Sequence, residues 1–253
     1  VLFIIFVVLL VIAVPVSITL GITSVLPSVF DPSFTVGAKY LIRAMFGGLD
    51  SFPLLAVPMF VLSGIIMAKG GISKKLFDVF AYFLGKFTAG RPCAVIVTCL
   101  FYGAISGSAP ATVAAVGSMT IPILSNLGYD LTFSTAIVAV AGGLGVIIPP
   151  SIPFIMYGMA SGASVSDLFL AGIIPGLMIG ALLMLYAIYH CKRYGEDKEK
   201  IHAEVQMLHD KGLLKVLKES FFALLSPVII LGCIYTGVAS PTEAAVISVF
   251  YAL

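Results

Sequence analysis

The sequence predicts an all-α polytopic membrane protein, and three observations carry that expectation. Of its 253 residues, 60% are hydrophobic and only 10% charged. The mean hydropathy of +1.15 lies well outside the range of water-soluble domains. Charge is also bunched: half of the charged residues fall between 192 and 219 and a further six between 69 and 91, which leaves long tracts nearly bare. Those tracts are long enough for helices to cross a bilayer, which takes about 20 apolar residues each. The net charge of +2 points to no nucleic-acid partner.

Taken in order, residues 1–26 form a first expected span. The run is too long for the apolar part of a signal peptide and has neither a basic flank nor a small-residue cleavage site. Residues 38–50, AKYLIRAMFGGLD, are too short and too mixed to cross and fit a helix lying in the membrane interface. Residues 52–68 are a second span. The stretch 72–87 places Leu76, Phe77, Phe80, Phe83 and Leu84 at helical spacing, with Lys74, Lys75, Asp78 and Lys86 elsewhere around it, the pattern of an interfacial arm helix. Residues 166–190 and 221–238 are two more spans. Between them, 196–219 is a charged, helix-favouring loop whose intermixed signs suggest a solvated face. The chain opens on Val1 and stops at Leu253 within an apolar run that has only just begun, so a piece of a longer protein is expected.

Lys and Arg mark the cytoplasmic side of a membrane protein. There are five in 69–91 and seven in 192–219, against two in 27–50, so both basic segments are expected inside. The chain between them must then cross an even number of times, yet it holds three apolar blocks: 92–124, 131–161 and 166–190. As one helix, 92–124 would run about 50 Å, against a hydrocarbon core of about 30 Å. Its centre reads GAISGSAPAT, residues 103–112. A re-entrant hairpin with that stretch at its tip contributes no crossing and restores the parity. Irregular backbone at membrane depth requires burial in protein or a water-filled cavity, so the tip implies a cavity. The alternative is that these small residues only let helices pack closely.

Block 131–161 is interrupted in turn by GGLGVIIPPSIP, residues 142–153. Pro149 and Pro150 lack an N–H and clash with the preceding turn, and Gly142, Gly143 and Gly145 loosen the backbone before them. A broken helix exposes carbonyls on its incoming half and N–H groups on its outgoing half, which suits a cation and an anion respectively. A simple proline kink is the competing reading. Elsewhere, Ser240, Pro241 and Glu243 form a capping box with proline at the first helical position, and Asp130 and Asp167 sit where helices should start. Cys93, Cys99, Cys191 and Cys233 have no metal-site spacing and read as small buried hydrophobes. An intramembrane enzyme would need a Ser with a His, paired Asp or a metal motif within the spans. None is present, His190, His202 and His209 all lying at or beyond membrane edges, so no catalytic activity and no cofactor are expected.

Five segments in order, LDSFPLLAVPMFVLSG (49–64), GAISGSAPATVAAVGS (103–118), GGLGVIIPPSIPFIMYG (142–158), DLFLAGIIPG (167–176) and SPTEAA (240–245), resemble the large membrane subunit of tripartite ATP-independent periplasmic (TRAP) transporters. One departure lies at the tip, where many members carry a Val-Ala-Asp run and this chain has Pro110, Ala111 and Thr112. The resemblance implies an elevator-type, sodium-driven carrier of organic acids in the bacterial inner membrane. A soluble periplasmic binding protein would deliver the acid, and a small four-helix membrane subunit is the implied partner. It also implies two inverted repeats, of which this chain holds the first and the start of the second. Residues 1–91 would be scaffold, 92–190 the transport region, 191–220 a cytoplasmic loop, and 221–253 a linking span and the opening of the second repeat.

The residues themselves point the same way. Sodium is a hard cation that takes oxygen ligands. The expected site combines the hairpin tip, Ser106, Gly107, Ser108, Ala109, Pro110 and Thr112, with the broken helix, Gly143, Gly145, Pro149, Pro150 and Ser151. Serine hydroxyls and free carbonyls would hold sodium, while the helix starts near Ala111–Thr112 and Ser151 would face a carboxylate. Two other carriers of charge remain open at this stage: a divalent-anion/sodium symporter of similar architecture working without a binding protein, and a channel whose filter is built from re-entrant carbonyls.

Overall fold

The computed structural model describes residues 2–30, 38–210 and 212–253. Every regular element among them is helical, and they fall into two compact units, residues 1–51 and 52–253.

The first unit holds α1 (Leu2–Val11), α2 (Val16–Phe30) and α3 (Ala38–Leu49). The single span expected over 1–26 is therefore two helices. The reason is Pro15, which has no N–H to give and disfavours helical geometry at the residue before it. Ala13 turns into the left-handed region at φ 64°. The Thr19 hydroxyl lies within donating distance of the Val14 and Pro15 carbonyls at this junction, at 3.4 and 3.2 Å. Within α2, Thr23 and Ser24 donate back to the carbonyls of Thr19 and Leu20, which lets polar side chains ride in an apolar helix.

The second unit starts with a 3-10 turn, Phe52–Leu55, leading directly into α4 (Ala56–Lys69). Then come α5 (Ile72–Leu84), α6 (Gly90–Ser106), α7 (Ala109–Asn126), α8 (Leu131–Gly142), a 3-10 turn at Gly143–Val146, α9 (Ile152–Ser161), α10 (Val165–Tyr194), α11 (Lys198–Asp210), α12 (Leu213–Tyr235) and α13 (Pro241–Ala252). Among the described residues three helical segments are long and apolar enough to cross a membrane: Phe52–Lys69, Val165–Tyr194 and Leu213–Tyr235. The third begins eight residues before the expected span at 221, because Leu213, Leu214, Val216 and Leu217 carry the helix into the charged stretch.

Burial follows two clusters. The larger packs α5, α6, α7, α8 and α10 around Phe77, Ile96, Tyr102, Leu124 and Leu144. The smaller gathers Phe60, Ile155, Phe169, Ile230, Ala244 and Ala245. In it α4 lies along α13, close enough for the Ser63 and Ser248 hydroxyls to bond each other. Outward faces are apolar in turn, with Ile174 75% exposed and Leu182 58% exposed on α10, the reverse of a water-soluble surface. α5 differs from the expected arm helix. Its Leu76, Phe77 and Ala81 are buried against α6 and α12, and the Ser220 hydroxyl of α12 donates to the Lys75 carbonyl at 2.9 Å. Only Phe83 of the expected apolar stripe stands mostly free, so that stripe is covered by protein along most of its length.

Candidate functional site

The hairpin forms where the sequence places it. α6 and α7 are antiparallel neighbours of 17 and 18 residues, each about 26 Å long, joined by Gly107 and Ser108. The turn is possible because Gly107 takes φ +61°, a region that costs glycine little, while its N–H closes α6 on the Gly103 carbonyl at 2.8 Å. Pro110 falls in the first turn of α7, where a missing N–H leaves nothing unpaired.

The tip gathers oxygen. The Ser106 and Thr112 hydroxyls lie 3.0 Å apart, and Thr112 donates to the Ser108 carbonyl at 2.9 Å. Ser106 is 2% exposed and Thr112 fully buried. The expected pair of serine hydroxyls is thereby rearranged: Ser108 brings its carbonyl to this cluster, and the second hydroxyl belongs to Thr112. Ala109 and Pro110 lie in the first turn of α7, Pro110 on its exposed side.

The second interruption is a break, not a kink. α8 tightens into the 3-10 turn, the Pro149–Pro150 peptide is cis, and α9 restarts at Ile152. Ser151 caps α9 by accepting the Phe154 N–H at 3.4 Å, and its hydroxyl donates to the Val146 carbonyl at 2.6 Å. Both of these hydrogen bonds lie within its own segment.

Break and tip meet through backbone. The Ile152 N–H donates to the Gly107 carbonyl at 3.3 Å. A methyl on Gly103 would stand 2.5 Å from the Gly145 Cα, and one on Gly145 would stand 2.5 Å from Thr112 Oγ1 and 3.1 Å from the Ser108 carbonyl oxygen. Only glycine allows both approaches. Gly143 is not part of this contact: nothing lies within 4 Å of where its Cβ would be. Pro150 is buried beside the tip, its carbonyl oxygen 2.8 Å from a Cβ placed on Gly107, and Pro149 is buried next to it.

A cavity of about 610 Å³ opens along α4 and the hairpin, lined among others by Gly64, Lys69, Tyr102, Ser106, Ser108 and Ser118. Tyr102 and Gly64 had no sequence signal of their own. The Tyr102 hydroxyl donates to the Gly64 carbonyl at 3.3 Å, tying α6 to α4 across the cavity wall. No group of three His, Cys, Asp or Glu side chains among the described residues gathers as metal ligands. The oxygens available at the tip are hydroxyls and carbonyls.

The remaining candidates resolve simply. Asp130 caps α8, accepting the Phe133 N–H at 2.9 Å, and Ser240 with Glu243 completes the expected capping box of α13. Asp167 does not cap: the cap of α10 is Ser164, which accepts the Asp167 N–H, so the helix starts three residues earlier than the acidic residue suggested. Cys93, Cys99 and Cys191 are buried thiols, and Cys233 is half-buried. His190 stacks on Phe133 and His209 on Tyr82, with ring centroids 3.9 and 4.1 Å apart.

Comparison with known proteins gives one answer. The profile of the family described as "Tripartite ATP-independent periplasmic transporter, DctM component" matches residues 3–253. The isethionate TRAP transporter permease protein DctMQ of Oleidesulfovibrio alaskensis is 43% identical over 98% of this chain and 38% of its own length. The C4-dicarboxylate TRAP transporter large permease protein DctM of Vibrio cholerae is 37% identical over 99% of this chain and 54% of its own length. The sialic acid TRAP transporter large permease protein SiaM of the same organism is 36% identical over 87% and 50% respectively. The chain therefore spans about half, or less, of the curated relatives it matches.

Proposed function

Because the chain belongs to the DctM family of TRAP transporter large permeases, a family of transporters and not of enzymes, we propose that it forms part of a sodium-coupled importer of organic acids in the bacterial inner membrane. The observation that carries this reading is the junction of the two interruptions. With Ile152 bonded to Gly107, and Gly103 packed on Gly145, hairpin and broken helix make one body with buried oxygens at its centre. Ser106, Thr112 and the Ser108 carbonyl supply oxygen to sodium without a buried carboxylate whose charge would have to be offset. The start of α7 adds free N–H groups and a positive dipole end beside the same cavity, which favours a carboxylate.

The cargo class follows from chemistry and from kin. Isethionate, C4-dicarboxylates and sialic acid, for which the three relatives are named, are all organic anions. In this reading the hairpin and broken helix ride together as the moving body of an elevator. α12 links the first inverted repeat to a second that α13 opens, a periplasmic binding protein delivers the acid, and a small four-helix membrane subunit braces the scaffold.

Uptake by the full-length subunit, reconstituted with its small subunit and binding protein, tests the proposal. Transport of an organic acid should require both an inward sodium gradient and the loaded binding protein. Undiminished uptake without sodium would remove the coupling. Undiminished uptake without the binding protein would place the protein with symporters that bind their substrate directly.

A further inference from the structure

The loop between α10 and α12 reads in sequence as a solvated face, yet two of its carboxylates reach buried groups at the base of the hairpin. Glu196 accepts the Ala89 N–H on both oxygens, at 3.0 and 3.1 Å, and the Tyr129 hydroxyl on Oε1 at 2.5 Å. Ala89 immediately precedes α6 and Tyr129 lies three residues past the end of α7. One half-buried carboxylate thus holds both feet of the hairpin. Ala89 sits at φ +58°, an uncommon conformation for a residue with a Cβ, at the point where its N–H meets Glu196. Beside it Glu204 of α11 lies 3.6 Å from Nη2 of Arg91, a guanidinium 1% exposed whose nitrogens make no hydrogen bond among the described residues. Burial, and then the bond to Glu196, push the Tyr129 hydroxyl well above its ordinary pKa, so it remains a donor at any physiological pH.

We propose that Glu196 is a positioning residue for transport: its carboxylate staples the two feet of the hairpin, and the α10–α12 loop travels with the hairpin as part of the moving body. This rests on the reading of the hairpin as the element that carries cargo. The arms are rigid levers of about 26 Å. A change of splay at the feet therefore shifts Ser106 against Thr112, which belong to different arms and stand 3.0 Å apart at the tip. A carboxylate placed only for solubility would touch neither foot.

The test uses the full-length subunit with its partners, spin-labelled at the exposed positions Thr88 and Asn126 beside the two feet. Glu196→Ala should lengthen and broaden the foot-to-foot distance distribution. It should weaken apparent affinity for sodium and acid about tenfold, while the maximal rate stays within about twofold. Tyr129→Phe should produce a smaller shift of the same kind, and the double variant should match Glu196→Ala alone, since Glu196→Ala already removes the bond that Tyr129→Phe removes. Glu199→Ala, exposed on α11, should change nothing. An unchanged distance in Glu196→Ala overturns the staple. Loss of membrane level and maximal rate with affinity intact reduces Glu196 to a folding role and overturns its positioning role. If the unsubstituted transporter itself shows no sodium dependence, the functional reading fails, and the distance measurement still decides whether the feet are stapled.

Discussion

At the hairpin tip the chain reverses, and the hydroxyls of Ser106 and Thr112, one from each arm, face one another across the turn. At the helix break the chain continues in the same block, and the hydroxyl of Ser151 turns back on its own segment through Val146 and Phe154. Both regions interrupt an apolar helix, and both free backbone groups at helix ends. They differ in what reaches across to the other. The tip offers side-chain and carbonyl oxygens, whereas the break offers backbone: the Ile152 N–H and the bare Cα of Gly145. In the proposed function the ligand chemistry falls to the tip, and the break supplies the surface against which the tip is buried.

The strongest way to break that comparison is Gly145→Val. A Cβ there would stand 2.5 Å from Thr112 Oγ1 and against the Ser108 carbonyl, with no flexible side-chain end to yield. Overpacking of this kind costs about 1–3 kcal/mol or forces the two elements apart. Uptake should fall by at least about a hundredfold, and the variant should unfold at lower temperature in detergent. Near-normal uptake would mean that break and tip separate during the cycle and that their contact is incidental.

Next in size is Thr112→Val, which keeps shape and removes the oxygen. If that hydroxyl binds the coupling ion with the strength of a hydrogen bond to charge, ~1.5–3 kcal/mol, the half-saturating sodium concentration should rise about tenfold to a hundredfold. Ser108→Ala keeps the carbonyl that faces Thr112 and should have a much smaller effect. Equal effects from the two substitutions would return the site to the pair of serine hydroxyls that the sequence suggested.

That rearrangement shows what sequence carries and what it does not. The hairpin was legible because its signals are local: two apolar arms of helical length, Gly107 for the turn, and Pro110 where a first helical turn tolerates it. The break was legible for the same reason, through Pro149 and Pro150. The split at Pro15 was equally visible in the residues, but the reading of 1–26 rested on the length of its apolar run, and the structure divides that run into two helices. Asp167 misled because an acidic residue in a first turn and an acidic cap look alike without coordinates. Tyr102 against Gly64, and Glu196 against Ala89 and Tyr129, join residues 38, 107 and 67 positions apart. No periodicity or spacing encodes a partner at such distances, and so the wall of the cavity and the staple of the hairpin emerge only from the fold.

A further substitution separates cap from ligand. Ser151→Ala removes the N-cap of α9 and the bond to Val146, and should lower stability by about 1 kcal/mol, within the ~0.5–2 kcal/mol range for lost caps. The thermal midpoint should drop by a few degrees, about 2–4 °C for a chain of this size. Half-saturating sodium should not move, because the Ser151 hydroxyl faces its own segment through Val146 and Phe154 and is not among the oxygens gathered at the tip. A sodium shift comparable to that of Thr112→Val would make the break a ligand source like the tip and erase the division of labour between them.

The smallest effect is expected at Gly143, and it bears on the comparison most directly because Gly143 and Gly145 read identically in the sequence. Gly143 takes φ −59° and ψ −24°, ordinary right-handed geometry that alanine adopts without strain. Nothing lies within 4 Å of its would-be Cβ. Gly143→Ala should therefore be stabilising by about 0.4–1 kcal/mol, since alanine has fewer unfolded conformations to lose. A slightly higher thermal midpoint with unchanged uptake and unchanged sodium dependence is the expected result. A folded, well-expressed variant that no longer transports would carry a different meaning: the open side of Gly143 is then the surface on which cargo, or the remainder of a longer subunit, must close. In that case the two glycines serve the same end from opposite faces of the break, Gly145 turned toward the tip and Gly143 toward what completes the site.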